Sequence, residues 1–306
     1  MLRLEDLALF VRAAALLSFS DAARESGVQP AQVSAAIKRL ERDLDARLFA
    51  RSTRSLRLTP EGETWLPHAI RILHTLEAGT AELRPPSDEV RGTLQVAAPS
   101  DLGRHMLLDV FRAFHRAHPA LNLRILLSDQ LADVFRDPVD VAFRYGNNDD
   151  ASYVALPVAP ANRRVVVASP AYLARAGAPA TPADLARHNA LTYVLRGRTY
   201  DRWRFRHHGQ PQHVAVRGSL TSDDAEVIHR LALAGEGIAY KSWLDVCDDV
   251  QAGRLSLLLP QYEGDSVPLN LICPHRKQLS AAVRLLHAAV RDRCEDALRH
   301  LPALAA

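Results

Sequence analysis

Apolar residues recur at helical spacing twice within the first 44 residues of the chain. The first series predicts a helix over about residues 5–17, and its members are Leu7, Phe10, Val11 and Ala14. The second series predicts a helix over about residues 30–44, and its members are Val33, Ile37, Leu40 and Leu44. Between them, Ser20 is a candidate N-cap for a short helix, and Gly27 suits the left-handed backbone of a sharp turn. Pro30 is favoured at a first helical position, so three small helices are predicted around one core.

Alternation of apolar and polar residues replaces helical spacing after this region. Leu56 and Leu58 flank Arg57, which predicts the return strand of a hairpin whose tip lies near residues 51–55. Thr59, followed by a proline and an acidic residue, then predicts the start of a long helix that runs to about Leu83.

One wide apolar stripe runs along this long helix, and its members are Trp65, Ala69, Ile72, Leu76, Gly79 and Leu83. Such a stripe must be buried, and the same helix of a second chain is the economical partner. Packing against the helix's own chain is the alternative.

The segment "RPPSDEVRG", residues 84–92, is predicted to be a linker, because its paired prolines and polar flanks stop the helix. Beyond it, strand-like and helix-like segments alternate to the end of the chain. This alternation predicts an α/β fold in which helices pack against mixed sheets.

Composition and charge indicate a globular protein but do not indicate its function. With 306 residues, 48% hydrophobic and 24% charged, the chain is typical of a globular protein with two or three domains. A net charge of +3 indicates neither a strong polyanion partner nor a membrane surface. The three cysteines are widely spaced, which suits a reducing compartment. Glu5 and Asp6 stand where a signal peptide carries positive charge, so a cytoplasmic protein without membrane contact is predicted.

Three residues near the N-terminus have the spacing of a helix-turn-helix. Ala23 is small enough to let two helices approach, Gly27 makes the turn, and Val33 locks the second helix. In that motif the second helix lies in the major groove of DNA, with its N-terminal residues towards the base edges.

The segment "LALFVRAAALLSFSDAARESGVQPAQVSAAIKRLERDLDARLFARSTRSLRLTPEGE" resembles the N-terminal pattern of the LysR-type transcriptional regulators. The resemblance continues through "HPALNLRILLSD", "VDVAFRYG" and "RRVVVASPAYLARAG", and it covers essentially residues 1–300. It implies a multidomain α+β and α/β protein. The expected domains are a winged helix-turn-helix over 1–58, a dimerising linker helix and hinge over 59–91, and an effector-binding domain over 92–306. That last domain would be two-lobed, like type 2 periplasmic binding proteins, with one lobe over about 92–161 and 266–300 and the other over about 162–265.

The resemblance also implies a function. Family members bind promoter DNA, usually form homotetramers, and respond to a small molecule in the cleft between the lobes. No enzyme activity, metal or cofactor is expected. A solute-binding or enzymatic α/β protein with an unrelated helical appendage is the competing hypothesis. That alternative predicts an export signal or a catalytic constellation, and the sequence displays neither.

The predicted DNA-binding residues are Ser20, Gln29, Gln32, Ser34, Lys38, Arg51 and Arg54. Gln32 and Ser34 are expected near base edges and Lys38 near a phosphate, because amides and hydroxyls read bases in the major groove. Arg51 and Arg54 on the wing would meet phosphates or a minor groove. Segment 1–58 has ten basic and seven acidic residues, which suits salt-dependent binding.

Three further positions in this segment leave alternatives open or depart from the family. As an alternative to contacting DNA, Arg39 could form a surface ion pair on its own helix, for instance with Asp43. Ala35 stands where many relatives have arginine, so one DNA contact is missing. Asp45 stands where relatives usually have glycine, and a left-handed backbone is predicted there.

The predicted effector-binding residues are Ser100, Asp101, Ser128, Arg144, Thr221, Ser222 and Asp223. The resemblance places them at the cleft, and an arginine beside helix N-termini favours an anionic effector. Asp101 has two other possible roles, capping its helix or pairing with the amine of a zwitterionic ligand. Arg144 has one, a structural salt bridge.

The histidines at 207, 208 and 213 lack companion cysteines and helical i,i+4 spacing, so no metal site is predicted there. The triplet "GEG" at 235–237 is too short for a dinucleotide fingerprint, and no nucleophile–base pairing is visible.

Overall fold

The computed structural model describes residues 2–51, 56–82, 90–129, 139–146, 154–195, 197–273 and 280–303. The chain divides into two compact units, residues 1–88 and 89–306. Each unit has its own apolar core.

Unit 1 contains the helices and the hairpin that the periodicity predicts. Its elements are α1 (Leu4–Leu16), α2 (Phe19–Glu25), α3 (Pro30–Leu44), β1 (Phe49–Arg51), β2 (Leu56–Leu58) and α4 (Pro60–Glu82). Strands β1 and β2 pair antiparallel. Gly27 has a φ of 66° in the turn before α3. Asp45 ends α3 in the left-handed region, with φ 49° and ψ 38°, so that prediction is confirmed.

One local prediction in unit 1 is wrong, and one alternative left open there takes another form. The N-cap of α2 is Ser18, whose side chain accepts a 3.2 Å hydrogen bond from the Asp21 N–H, whereas Ser20 is exposed on the helix. Arg39 pairs with Asp6 of α1 through two hydrogen bonds of 2.7 and 3.0 Å, and not with Asp43, the partner that the alternative offered. Asp6 is 33 residues from Arg39, so the packing of α1 on α3 brings the two together.

The apolar stripe of α4 changes character along the helix. Thr59 caps the start, where its Oγ1 accepts a hydrogen bond of 3.0 Å from the Gly62 N–H. Ala69 is buried against the core of unit 1, together with the partly buried Trp65. Further along, Ile72 is 38% and Leu76 48% exposed. Packing on its own chain therefore accounts for Trp65 and Ala69 and leaves Ile72 and Leu76 exposed within unit 1.

Two mixed sheets form the framework of unit 2, as the alternation predicts. The first has the order β4-β3-β5-β16-β6. Its strands are β3 (Gly92–Ala98), β4 (Leu121–Leu127), β5 (Val141–Tyr145), β6 (Val154–Ala159) and β16 (Leu269–Cys273). Strand β3 runs parallel to β4 and β5, and β16 runs antiparallel to β5 and β6.

The second sheet has the order β12-β8-β13-β7-β14, with β9 paired to β8. Its strands are β7 (Arg164–Ala168), β8 (Asn189–Leu195), β9 (Arg198–Tyr200), β12 (Arg217–Ser222), β13 (Ile238–Ser242) and β14 (Ser256–Leu258). Strands β10 (Arg202–His207), β11 (Gln210–Ala215) and β15 (Glu263–Gly264) form a smaller sheet. The two large sheets repeat one pattern, in which two parallel pairings are followed by two antiparallel ones.

Helices of unit 2 connect and cover these sheets. They are α5 (Ser100–Leu102), a π-helical turn (Gly103–Leu107), α6 (Leu108–Ala117), α7 (Pro170–Ala176), a 3₁₀ helix (Pro182–Arg187), α8 (Ala225–Leu233), α9 (Trp243–Gln251) and α10 (Ala281–Arg299). We refer to the first sheet with α5, α6 and α10 as lobe I, and to the second sheet with α7, α8 and α9 as lobe II. None of the helices in the described ranges is long and apolar enough to cross a membrane.

Candidate functional site

Helix α3 has two faces of opposite character. Val33 and Ile37 are fully buried in the core of unit 1. Gln29, Gln32 and Lys38 are exposed on the other side. Ser34 is partly buried, and Ala35 is exposed beside it. The polar residues predicted to contact DNA on this helix therefore lie together on its accessible side.

Gln32, one of the residues predicted to contact bases, also makes a hydrogen bond at the start of α3. The Gln29 N–H donates a hydrogen bond of 2.9 Å to Oε1 of Gln32, which satisfies a backbone donor that the first helical turn leaves unpaired. An amide oxygen has a second lone pair, and the Gln32 amide nitrogen carries two donors. Gln32 can thus cap the helix and still present donors outward.

Two buried acids hold α3 in place, and neither was among the residues singled out from the sequence. Asp6 on α1 is 3% exposed and binds Arg39. Glu41 is 9% exposed, and its Oε1 accepts hydrogen bonds of 2.9 Å from the Leu48 N–H and 3.2 Å from the Phe49 N–H. These contacts fix α3 against α1 and against the start of the hairpin. The only signal for Asp6 and Glu41 in the sequence is that each is an acidic residue next to the apolar positions of its helix.

Only part of the wing, the hairpin β1–β2, lies within the described residues. Arg51 pairs with Leu56 in the β1–β2 ladder, but its side chain lies outside the described residues. Arg54 lies entirely outside them. Both arginines stay predictions as DNA contacts.

A second candidate site lies where the two lobes of unit 2 meet. Asp129, which follows β4 in lobe I, accepts a 2.9 Å hydrogen bond from the Ser100 N–H at the start of α5. It also accepts a 2.7 Å hydrogen bond from the Ala225 N–H at the start of α8 in lobe II. The carboxylate of Asp129 therefore joins the N-terminal ends of helices from both lobes, where backbone donors favour an anion.

The Ser100 hydroxyl faces two carboxylates at this point. Its Oγ lies 2.6 Å from Oδ2 of Asp129 and 2.8 Å from Oδ1 of Asp224, the N-cap residue of α8. A hydroxyl carries one proton, so it donates to one of these oxygens at a time.

Among the remaining predicted effector residues, Arg144, Thr221 and Ser222 make contacts within their own lobes. Arg144 is 7% exposed, and its Nη1 donates a hydrogen bond of 2.7 Å to the Ser128 carbonyl in the same lobe. The Thr221 hydroxyl is 2.7 Å from that of Thr192. The Ser222 Oγ accepts from the Asp224 N–H, and Asp223 is exposed.

Asp101 requires a correction, because its carboxylate is fully buried and makes ion pairs instead of facing a cleft. It neither caps α5 nor is accessible to a ligand amine. It forms a short ion pair with Lys241, and its Oδ1 is 2.9 Å from Nδ1 of His229. Asp101 thus links lobe I to β13 and α8 of lobe II.

The buried groups around Asp101 form a network of ion pairs. Nε2 of His229 is 2.9 Å from Asp249, and Nζ of Lys241 is 3.3 Å from Asp245. Burial opposes a charge on His229, but its hydrogen bonds to Asp101 and Asp249 outweigh burial and raise its pKa to about 9. Burial of Asp245 raises its pKa, although Lys241 acts in the opposite direction. Lys241 carries a raised pKa, since its two acidic partners outweigh burial. His229 and Lys241 are therefore cations at neutral pH.

The structure joins Ser100 to the start of α8 through Asp129, joins Arg144 to Ser128, and pairs Asp101 with Lys241 and His229. Asp129, Lys241 and His229 were not among the residues singled out from the sequence. Asp129 follows β4, Lys241 lies on β13 and His229 lies on α8. None of them belongs to a recognisable motif, so their spacing in the sequence does not predict a site. At the turn between β10 and β11 of the smaller sheet, the ring centroids of His207 and His208 lie 4.1 Å apart.

Comparisons with known proteins cover nearly the whole chain. Residues 4–63 match the family model described as bacterial regulatory helix-turn-helix protein, lysR family, and residues 87–295 match the one described as LysR substrate binding domain. The chain is 34% identical over 259 residues to the HTH-type transcriptional regulator DmlR of Escherichia coli K12, covering 85% of this chain and 84% of the relative. It is 30% identical over 283 residues to the regulator CrgA of Neisseria meningitidis, covering 92% and 93%.

Solved structures show the same architecture. The structure of CrgA, a LysR-type transcriptional regulator from Neisseria meningitidis, aligns with a TM-score of 0.60 at 29% identity, covering 94% of this chain and 98% of that one. The full-length structure of the Vibrio cholerae virulence activator AphB aligns with a TM-score of 0.58 at 25% identity and the same coverage.

Proposed function

The chain belongs to the family of LysR-type transcriptional regulators, and on that premise we propose how it binds DNA and what controls it. Helix α3 enters the major groove of operator DNA, and a small anionic effector binds between the lobes of unit 2. The domains divide at about residues 58 and 91, and the cleft lies between the lobes over 92–161 with 266–300 and over 162–265. To bind operator DNA, the protein must be in the compartment that holds the chromosome, and we therefore propose a cytoplasmic location.

The observation that carries the DNA-binding proposal is the accessible polar side of α3. Gln29, Gln32 and Lys38 are exposed there, while Val33 and Ile37 anchor the helix in the core. A helix held by its apolar side and displaying short polar residues near its N-terminus fits the docking of a helix-turn-helix. Ser20, Arg51 and Arg54 extend the proposed contact surface beyond α3.

Replacing Lys38 with alanine is expected to weaken DNA binding several-fold and to lower its salt dependence. A lysine on a phosphate contributes through counterion release, so its loss reduces the log–log salt slope by about 1 for each bound chain. Fluorescence anisotropy on the duplex between this gene and a divergently placed neighbour measures both quantities. Arg116→Ala is the matched control, because it removes one exposed positive charge from unit 2. An unchanged slope in Lys38→Ala would remove Lys38 from the interface.

Ser34→Ala separates a base contact from a phosphate contact. We expect the variant to keep the wild-type salt slope and to lose part of the preference for the operator over random duplex, because hydroxyls read base edges. Equal losses on operator and random DNA would contradict a base-reading role for Ser34.

The observation that carries the anionic-effector proposal is the coordination of Asp129. Backbone N–H groups of Ser100 and Ala225, one from each lobe, converge on this single carboxylate. An effector carboxylate in the same place would gain the same donors, and Arg144 beside Ser128 adds a positive charge nearby. The chain's own Asp129 thus stands where the carboxylate of an effector is proposed to bind.

Removing Asp129 is expected to make the protein respond to simple carboxylates. In Asp129→Ala the two backbone donors are left for an external anion, so the Tm should rise with acetate or benzoate concentration, as mass action requires. Acetamide, which has the same size without the charge, should leave the Tm unchanged. Adding Arg144→Ala should abolish the shift. A response to acetamide equal to that to acetate would rule out an anion site.

The proposed assembly is a homodimer through α4, with two dimers forming a homotetramer. Ile72 and Leu76 are exposed on α4 in the single chain, on the stripe whose first half is buried in unit 1. Such residues are stabilised when a second copy of the helix covers them.

A further inference from the structure

We propose that the lobes of unit 2 bind a divalent transition metal ion, such as Zn²⁺, between Asp101, His105, Glu226 and His229. Asp101 and His105 lie on α5 and the π-helical turn of lobe I, and Glu226 and His229 lie on α8 of lobe II. The site goes beyond the proposed DNA-binding function, and its test does not depend on DNA or on an organic effector.

The spacing of the four residues suits chelation. Asp101 and His105 are four positions apart on one helical segment, and Glu226 and His229 are three apart on another. Residues three and four apart share one face of a helix, so each helix offers two donors in the same direction. A Glu-x-x-His pair on a helix is a known metal-binding arrangement in helical proteins.

Three separations between the donor atoms are close to those around a tetrahedral ion. Oδ1 of Asp101 is 2.9 Å from Nδ1 of His229 and 3.5 Å from Nε2 of His105. Nε2 of His105 is 3.2 Å from Oε2 of Glu226. The donor atoms of Asp101, His105 and His229 all lie within 4.8 Å of one another. A tetrahedral ion with bonds of about 2.0–2.1 Å holds its ligand atoms roughly 3.3 Å apart.

The other polar atom of three of these side chains is held by the protein. Lys241 pairs with Oδ2 of Asp101, and Arg230 donates a 2.6 Å hydrogen bond to Oε1 of Glu226. Asp249 is 2.9 Å from Nε2 of His229, which is the carboxylate–histidine arrangement found behind metal-bound histidines. Oε2 of Glu226 is buried, and it lies 3.2 Å from Nε2 of His105 and 4.0 Å from Nη1 of Arg104. The atoms left to bind an ion are the ones that converge.

The donor types, and not the net charge, favour a transition metal. Four carboxylates, those of Asp101, Glu226, Asp245 and Asp249, are balanced by Lys241, His229, Arg230 and Arg254. A metal ion would replace the proton that Nδ1 of His229 shares with Asp101, and that proton would leave to solvent. Two imidazoles and two carboxylates suit Zn²⁺, Co²⁺ or Ni²⁺ better than Mg²⁺ or Ca²⁺. Because the ligands come from both lobes, binding would hold the lobes together independently of an effector.

Titration of the chelator-treated full-length protein with Co²⁺ tests the site. We expect one Co²⁺ per chain with the intense visible absorption of four-coordinate Co²⁺, and we expect Zn²⁺ to displace it and raise the Tm. His105→Ala is the diagnostic variant, because its side chain is 33% accessible and its loss leaves the buried core intact. It should weaken binding at least tenfold and abolish the absorption, while circular dichroism stays that of the wild type.

Two controls separate this site from adventitious binding. His300→Ala removes an exposed histidine elsewhere in unit 2 and should leave the absorption unchanged. His207→Ala with His208→Ala removes the adjacent pair on the smaller sheet and should also leave it unchanged. Asp249→Asn should lower the affinity by about 10- to 100-fold, because it removes the carboxylate behind His229. The proposal is overturned if no Co²⁺ binds, if His105→Ala binds as wild type, or if the His207/His208 variant loses the signal. The buried residues would then form an ion-pair network alone.

Discussion

Replacing Lys241 with methionine is expected to lower the free energy of unfolding of unit 2 by about 3–5 kcal/mol. Lys241 is 4% exposed, pairs with Asp101 and Asp245, and donates a 2.9 Å hydrogen bond to the Ala225 carbonyl. Methionine fills a similar volume, but it leaves two buried carboxylates with less compensation and one carbonyl without its donor. Urea unfolding followed by tryptophan fluorescence measures the loss, since Trp203 and Trp243 are both buried in unit 2.

A matched surface variant shows whether burial is the cause. Arg291 forms ion pairs of 3.4 and 3.5 Å with Asp292 and Glu295 on an exposed face of α10, and Arg291→Met should cost less than about 1 kcal/mol. Asp245→Asn added to Lys241→Met should recover part of the stability, because it removes one of the unpaired charges. A loss in Lys241→Met no greater than that in Arg291→Met would mean that the network does not stabilise the lobe contact.

Replacing Leu76 with glutamate is expected to dissociate the proposed dimer. Leu76 is 48% exposed in the single chain, so the change should leave unit 1 folded. A two-fold interface contains the residue twice, and losing the burial of two leucines costs about 3–6 kcal/mol, which raises the Kd of the dimer by more than about 100-fold. Sedimentation velocity measures the assembly, and anisotropy measures the accompanying loss of operator affinity.

Arg71→Glu is the control for charge. It introduces the same residue at an exposed position of α4, about 140° around the helix from Leu76. We expect it to remain dimeric. If Leu76→Glu sediments as wild type, α4 is not the dimerisation helix, and the exposed half of its stripe has another partner.

Local patterns in the chain were enough to predict the elements of unit 1. The apolar spacing of α1 and α3, the proline at residue 30 and the cap at Thr59 are properties of residues within a few positions of each other. The same holds for the left-handed backbone at Asp45, which follows from the end of a helix and the identity of one residue. The alternation beyond residue 92 predicted the mixed sheets for the same reason.

Side-chain partners were predicted less well, because they depend on which elements pack together. Helical spacing offers Asp43 as one possible partner of Arg39, but α1 packs across α3 and brings Asp6, which is 33 residues away, into contact. Asp101 was assigned to an effector cleft, but the approach of the two lobes places His229, 128 residues away, against it.

By itself, the sequence determined the family, the order of helices and strands, and the accessible polar side of α3. All three follow from periodicities and motifs within short segments, which do not depend on the rest of the fold. The tertiary structure alone decided that Asp129 joins the starts of α5 and α8, and that Asp101, His105 and His229 converge with Glu226 beside His105. The reason is physical: a buried charge is stable only beside its partners, and those partners come from segments that meet when the lobes fold against each other.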